Sequence, residues 1–194
     1  NQMGVKIGTV ILPKLNEREE AYCTLLDELR NKGCNLMFMQ RGDTVTIDEL
    51  RISCLHPYPD YEWKSANDSS LVLKVNYHNF TGLFTGDLEE AGEKEIINKL
   101  SHVNYLKVAH HGSKGASSEA FLEQVKPDVS VISCGKKNRY GHPHKETLKR
   151  LENIGSKVYR TDKEGAVSIE YQNGKWYLSL WKKESGKKRL LSDW

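Results

Sequence analysis

Two apolar runs that break on a small residue and end in ionisable side chains carry the chemistry of this sequence. The first, Leu83-Phe84-Thr85-Gly86-Asp87, delivers a lone carboxylate to what reads as a strand end. The second, Tyr105 to Ala109, breaks on His110-His111-Gly112-Ser113, and a third ending of this kind follows at Tyr140-Gly141-His142-Pro143-His144. Carboxylate oxygens and imidazole nitrogens are donors that Zn²⁺ or Mn²⁺ accept. A metal-dependent hydrolase is the leading reading.

Each residue also has a plainer role. Asp87 precedes Leu88-Glu89-Glu90 and alone reads best as a helix N-cap; the histidines tip it toward metal binding. Adjacent histidines point to opposite sides of an extended chain, so one is an easy ligand unless the strand has ended. The other is free to donate a proton or contact a phosphate, and an exposed pair on a turn is the plain alternative. Ser113 reads first as a cap and second as a substrate contact. His142 reads equally well as a site residue and as the exit of a loop, and His144 reads first as the start of a helix. Asn138, Arg139 and Tyr140 are anion contacts or plain loop. Asn67 sits in an Asx or Ser turn from which it leans toward the site. His56, His78 and His102 lack a partner motif and read as surface residues. No phosphate-binding glycine loop, nucleophile elbow or kinase motif is present, and Ser69 and Ser113 lack a G-x-S-x-G setting.

The elements that must position these residues follow from periodicity and punctuation. Residues 5–12 read as a strand stopped by Pro13, and 17–31 as a helix capped by Asn16 and closed by Gly33. Strands are predicted at 35–40, 44–47 and 50–55, then a hairpin of 70–77 and 80–85 turning at His78-Asn79. A helix at 89–100, a strand at 105–109, a helix from Ser118 to Val125, a strand at 129–134, a helix at 144–154 and a strand at 157–160 alternate after it. A last hairpin, 167–171 and 176–181, turns at Asn173-Gly174. This order predicts an α/β (α+β) domain with mixed sheets flanked by helices.

Length and composition fit one soluble domain over residues 1–194. The chain has 194 residues, a formal charge of +3, 38% hydrophobic residues and a mean hydropathy of −0.64. No apolar run approaches the roughly 20 residues that span a bilayer, and no signal-peptide pattern opens the sequence. The mild positive charge permits an anionic substrate, and the basic run from Lys182 to Arg189 reads as a solvated end. Four cysteines (Cys23, Cys34, Cys54 and Cys134) lack metal spacing and read as buried free thiols.

From about residue 65 to residue 171, the chain resembles the metallo-β-lactamase-like domain at the C-terminal end of ComEC-type competence DNA-internalisation proteins. The stretches NDSSLVLKV, LFTGDLEEAGEKE, LKVAHHGSKGASSEAF, GKKNRYGHPHKETL and VYRTDKEGAVSI carry the likeness. Short soluble relatives of that domain exist, and teichoic acid phosphorylcholine esterases are similar around NDSS, TGD and the His-His pair. The resemblance implies an αββα sandwich with two divalent metals, Zn or Mn, between its sheets. It implies Asp87 and His111 as metal ligands, and His110 and His142 as groups that protonate the leaving group, bind phosphate or complete the site. Asn67, Ser113, Tyr140 and His144 become substrate or supporting residues. Two metals activate water and clamp the attacking and leaving oxygens of a phosphodiester. The implied substrate is DNA during uptake; a smaller phosphoester, or DNA binding without catalysis, are the alternatives. The parent is expected to be either a bacterial membrane protein carrying this domain outside the bilayer or a stand-alone soluble hydrolase.

One departure matters. The superfamily draws most of its ligands from an early HxHxDH motif, which these 194 residues do not contain. The expectation is a sandwich incomplete at its N-terminus and a site short of ligands. It follows that this chain alone should be inactive or nearly so, with an exposed sheet edge that invites self-association.

Overall fold

Segments of β-branched and apolar residues pair in strict chain order into a seven-stranded sheet: β3 (Thr44–Ile47), β4 (Leu50–His56), β5 (Val72–Tyr77), β6 (Phe80–Phe84), β7 (Tyr105–Lys107), β8 (Val129–Ile132) and β9 (Lys157–Arg160). The structure, a computed structural model, describes residues 6–15, 20–59, 65–182 and 185–191, with residues 182 and 185–191 described by their backbone. β3 to β6 pair antiparallel through short turns, whereas β6 to β9 run parallel. Parallel neighbours need crossovers, and α2 (Glu90–Ile96), α3 (Glu119–Val125) and α4 (Lys145–Asn153) supply them. The C-terminal ends of β6, β7 and β8 therefore open on the same edge, where ligands of open α/β sheets bind.

The helices cover one face of this sheet. Leu83, Leu106 and Ile132 from the strands meet Ile96, Phe121, Leu122, Val125 and Leu151 from the helices in one buried cluster. The other face, with Val129 and Val131, packs on Leu178 and Leu180 of a second sheet. That sheet is antiparallel and three-stranded: β10 (Ala166–Gln172), β11 (Lys175–Lys182) and β12 (Ser185–Leu191). β8 is buried on both faces along its whole length, so it carries no polar alternation. A separate parallel pair, β1 (Thr9–Pro13) and β2 (Asn35–Met39), is linked by α1 (Glu20–Asn31).

Several expectations need correction. Pro13 ends β1 from inside it, since the ladder closes through Lys14 N–H donating to Met39 O, 2.8 Å. The strands expected to reach Ala109 and Cys134 stop at Lys107 and Ile132. The basic run, for which no strand was expected, overlaps residues 185–191, which pair with β11. Only Cys54 of the four free thiols is buried; Cys23 is exposed and Cys34 and Cys134 are half-buried. His56 is wholly buried at the end of β4, just past a register shift that separates it from Cys54. His78 and His102 instead pair with Glu49 and Asp128 at the surface. The expected start of the first helix, Asn16 to Glu19, lies outside the described residues.

Glu93, 1% exposed, ties α2 to the start of α3. Its carboxylate accepts from Ser117 N–H and from Ser118 N–H, 2.9 Å. Burial raises its pKa above the usual 4.5, opposed by these hydrogen bonds and by Arg150. Glu93→Ala should lower the unfolding free energy by about 3 kcal/mol in urea titrations at neutral pH, the cost of orphaning buried N–H donors. A raised folded-state pKa means that the stability Glu93 contributes is greatest at acid pH and falls as pH rises through that pKa. The difference between wild type and variant should therefore grow as pH is lowered toward 4.5, and a constant difference would count against this account.

Burial also pushes the Cys54 thiol up to about 12. A thiol-titrating reagent at mildly alkaline pH should modify exposed Cys23 at once and Cys54 only as fast as the protein unfolds.

Candidate active site

β6 ends at Phe84, and three contacts fix the turn that follows. Thr85 Oγ1 donates to Lys107 O at 2.7 Å, Asp87 N–H donates to Ser70 Oγ at 2.9 Å, and Lys107 Nζ donates to Gly86 O at 2.8 Å. Gly86 has a φ of +55°, and a Cβ there would lie 2.9 Å from that of Ser70, so only glycine fits. The Asp87 side chain caps nothing, since the N-cap of α2 is Glu89. Its nearest cation is Lys107, with Nζ 3.8 Å from Oδ1. Burial lowers the Lys107 pKa and Asp87 opposes the shift.

The histidine turn is the strained part of the molecule. His110 (φ 43°, ψ 47°), His111 (φ 53°, ψ 21°) and Gly112 (φ 82°) are consecutive left-handed residues. Left-handed backbone costs a residue with a Cβ about 1–2 kcal/mol. The turn ends the strand, and both imidazoles come to His142, with ring centroids 5.5 Å and 6.2 Å away. Its cost is met by anchors on every side. His110 N–H donates to Gly86 O at 3.2 Å, Ser113 N–H to His110 O at 2.8 Å and His144 N–H to Gly112 O at 2.9 Å. Beyond the turn, Thr147 Oγ1 donates to Ser113 O, and the Arg150 guanidinium donates to the carbonyls of Lys114, Ala116 and Ser117.

Hydrogen bonds set the imidazole tautomers. A carboxylate and a carbonyl only accept, so His110 Nδ1–H donates to Glu89 Oε1 at 2.9 Å and His111 Nδ1–H donates to Ser133 O at 2.7 Å. Both Nε2 atoms are thereby left as the reactive positions, and that of His111 lies 4.0 Å from Asp87 Oδ1. The Ser133 carbonyl is itself held, because Thr161 Oγ1 accepts from Cys134 N–H and donates to Cys134 O, both at 2.9 Å. His144 Nδ1 accepts from Lys114 N–H at 3.2 Å, which puts the proton of its neutral ring on Nε2.

His142 stands between the other rings, and burial, then repulsion from His144, His110 and His111, lowers its pKa below 6.5 against an opposing pull from Asp87. Tyr140 stacks on it at 5.7 Å and 24°. Asn67 reaches the cluster, with Nδ2 3.5 Å from His110 Nδ1. Ser113 Oγ accepts from Gly115 N–H at 3.3 Å, a role inside the turn. The structure thus gathers Asp87, His110, His111, His142, His144, Tyr140 and Asn67, and keeps the Ser113 hydroxyl for the backbone.

As a metal centre the donor set is short. Asp87 and His111 have the chemistry for Zn²⁺ or Mn²⁺, including the backbone hydrogen bond that orients a ligating imidazole. Yet among the described residues no group of three or more His, Cys, Asp or Glu side chains is placed to hold an ion. Two donors do not make a structural or catalytic site.

Comparison with known proteins locates the chain. It is 37% identical over 171 residues to the ComE operon protein 3 of Bacillus subtilis, covering 87% of this chain and 22% of that protein. It is 36% identical to Recombination protein 2 of Haemophilus influenzae and 37% identical to Competence protein ComA of Neisseria gonorrhoeae, over 56% of this chain and 14% and 16% of theirs. The chain is a homologue of the competence proteins. No protein-family profile matches it. As such a homologue it spans about a fifth of the length of the first of these relatives, 22%, and among its described residues no helix is long and apolar enough to cross a membrane. Its fold recurs in CmlA, a diiron β-hydroxylase from Streptomyces venezuelae, with a TM-score of 0.53, 10% identity, and 79% of this chain and 38% of that one covered. The metallo-β-lactamase fold protein YhfI from Bacillus subtilis scores 0.48 at 8% identity, over 82% of this chain and 65% of that one. The mixed α/β architecture expected from the order of elements is the one observed, and it is shared with CmlA.

Sequence reading missed Glu89, Lys107, Ser70 and Ser133. Ser133 and Ser70 act through a backbone carbonyl and a hydroxyl remote in sequence, for which no local pattern exists. Glu89 had a signal, since it lies two residues beyond Asp87 on the same turn.

Gly112 tests the turn. A Cβ there would lie 2.5 Å from Pro143 Cβ, at a left-handed φ. Gly112→Ala should cost about 3 kcal/mol in thermal or urea unfolding, from strain and overpacking together.

Proposed function

We propose that this chain is a hydrolase domain of a competence-linked protein and that it acts on phosphodiesters, with DNA as its substrate. The homology to competence proteins supports the setting, and the fold shared with a diiron enzyme supports a metal-dependent chemistry. The observation that carries the chemistry is the convergence of Asp87, His110, His111 and His142 at the ends of adjacent parallel strands, with the His110 and His111 tautomers fixed by Glu89 and Ser133.

In this reading Asp87 and His111 are the residues that would contribute to holding a divalent cation. Such a cation, when bound, would supply Lewis acidity to a phosphodiester. His110 holds a proton at Nδ1 against Glu89 and offers Nε2 to the substrate as a general acid or base. Lowering of its pKa keeps His142 neutral at physiological pH, so it accepts or relays a proton without adding charge beside the other rings. Lys107 offsets the Asp87 charge from 3.8 Å and keeps the carboxylate facing the cleft.

The test is hydrolysis of bis-p-nitrophenyl phosphate and of a labelled oligonucleotide by this chain under saturating Mn²⁺, with calorimetry for the metal. Expected are weak metal binding, abolished in Asp87→Asn, and slow metal-dependent turnover. His110→Ala should lower that turnover by about 10²-fold and leave metal binding in place. Two tightly held metals would sink the two-donor account. DNA binding with no hydrolysis at saturating metal would replace the hydrolase with a DNA-binding module.

A further inference from the structure

The geometry points to residues 136–140 as a preformed lip that binds single-stranded DNA at the mouth of the candidate site, with Tyr140 as the platform on which a base stacks. The inference rests on the phosphodiesterase reading and narrows its substrate. Three observations carry it.

The first is an aligned stack of flat groups. The Arg139 guanidinium lies 4.8 Å from the Tyr140 ring centroid. Tyr140 lies 5.7 Å from His142 at 24°, and His142 lies 6.2 Å from His111 at the same angle. The stack runs from solvent to the reactive imidazoles. Tyr140 is 61% exposed, one of the most exposed large apolar side chains described, and the group over its outer face is the exposed Arg139 side chain, which a base displaces toward the phosphate as it stacks.

The second is charge. Lys136, Lys137 and Arg139 are exposed on this segment, and no acidic residue lies among residues 135–142. A short cationic stretch with an aromatic ring is the pairing that single-strand binders use. Cations follow the phosphates, and the ring takes a base in a sequence-tolerant way.

The third is rigidity. Asn138 spans the loop: its Oδ1 accepts from His142 N–H at 2.9 Å, and its Nδ2 donates to Gly135 O at 3.0 Å and to His142 O at 2.7 Å. The platform is therefore built before a ligand arrives, so little ordering cost falls on binding. A base inside a duplex has both faces taken by its neighbours. The stack therefore selects an unpaired strand and sets the phosphate beside the stacked base against His142 and His110.

Fluorescence anisotropy on this chain in EDTA, with labelled twelve-nucleotide oligothymidylate, an abasic oligomer of equal length and a duplex, tests the inference. Oligothymidylate should bind more tightly than the abasic strand and the duplex. Tyr140→Ala should weaken oligothymidylate by about tenfold and leave the abasic strand unchanged, while Tyr140→Phe stays near wild type. The Lys136→Ala/Lys137→Ala double variant should weaken both single strands alike and flatten the salt dependence. Unchanged oligothymidylate binding in Tyr140→Ala, preference for the duplex, or no binding to any strand would overturn the inference. Bis-p-nitrophenyl phosphate hydrolysis, which needs no base, judges the phosphodiesterase reading separately. Hydrolysis with Tyr140-independent DNA binding rejects the lip alone, and Tyr140-dependent binding without hydrolysis rejects the enzyme alone.

Discussion

Three consecutive left-handed residues, His110 to Gly112, are the constraint on which the site depends. In an extended strand two neighbouring histidines face opposite ways, and only one reaches a cleft. The left-handed turn removes that alternation and brings both rings to His142. Such backbone persists where its surroundings over-determine it. Here His110 N–H donates to Gly86 O, Ser113 N–H to His110 O and His144 N–H to Gly112 O, while Thr147 and Arg150 hold the carbonyls that follow the turn.

Charge placement obeys the same economy. Imidazoles crowd the centre, and carboxylates stand at the edge: Glu89 on His110 and Asp87 across from His111. Each carboxylate or carbonyl partner holds a proton on a defined nitrogen and leaves the other nitrogen outward. Chemistry and stability draw on the same hydrogen bonds.

Much of the fold was legible in the sequence because it is local. Asn173-Gly174 marks its hairpin, Ser118 caps α3, and Gly33 takes a left-handed φ just past α1. Element types came from periodicity, whereas ends at Ala109 and Cys134 did not, since a run of apolar residues gives no sign of where a strand yields to a turn. The assembly of candidate residues was legible where glycine or histidine marked it, as at Gly86 and His142. It was illegible where support came through the backbone, as with Ser133 O, or from distant sequence, as with Arg150. His56 was misread because it lacked a motif and follows a register shift in β4 that no local pattern announces. The pairing of residues 185–191 with β11 was not legible, because charge at the chain end outweighed the strand signal.

Thr161 gives the architecture a less obvious consequence. It opens the single turn α5 (Thr161–Glu164) that carries the chain from the large sheet to the small one, and the same hydroxyl grips both ends of Cys134. That grip sets the Ser133 carbonyl against which His111 is aligned. The closing hairpin is therefore no detachable appendage. Its hinge is also the alignment pin of the reactive imidazole, so the boundary between the two sheets falls inside the functional unit, and the smallest piece that preserves the His111 geometry must extend past the last strand of the large sheet.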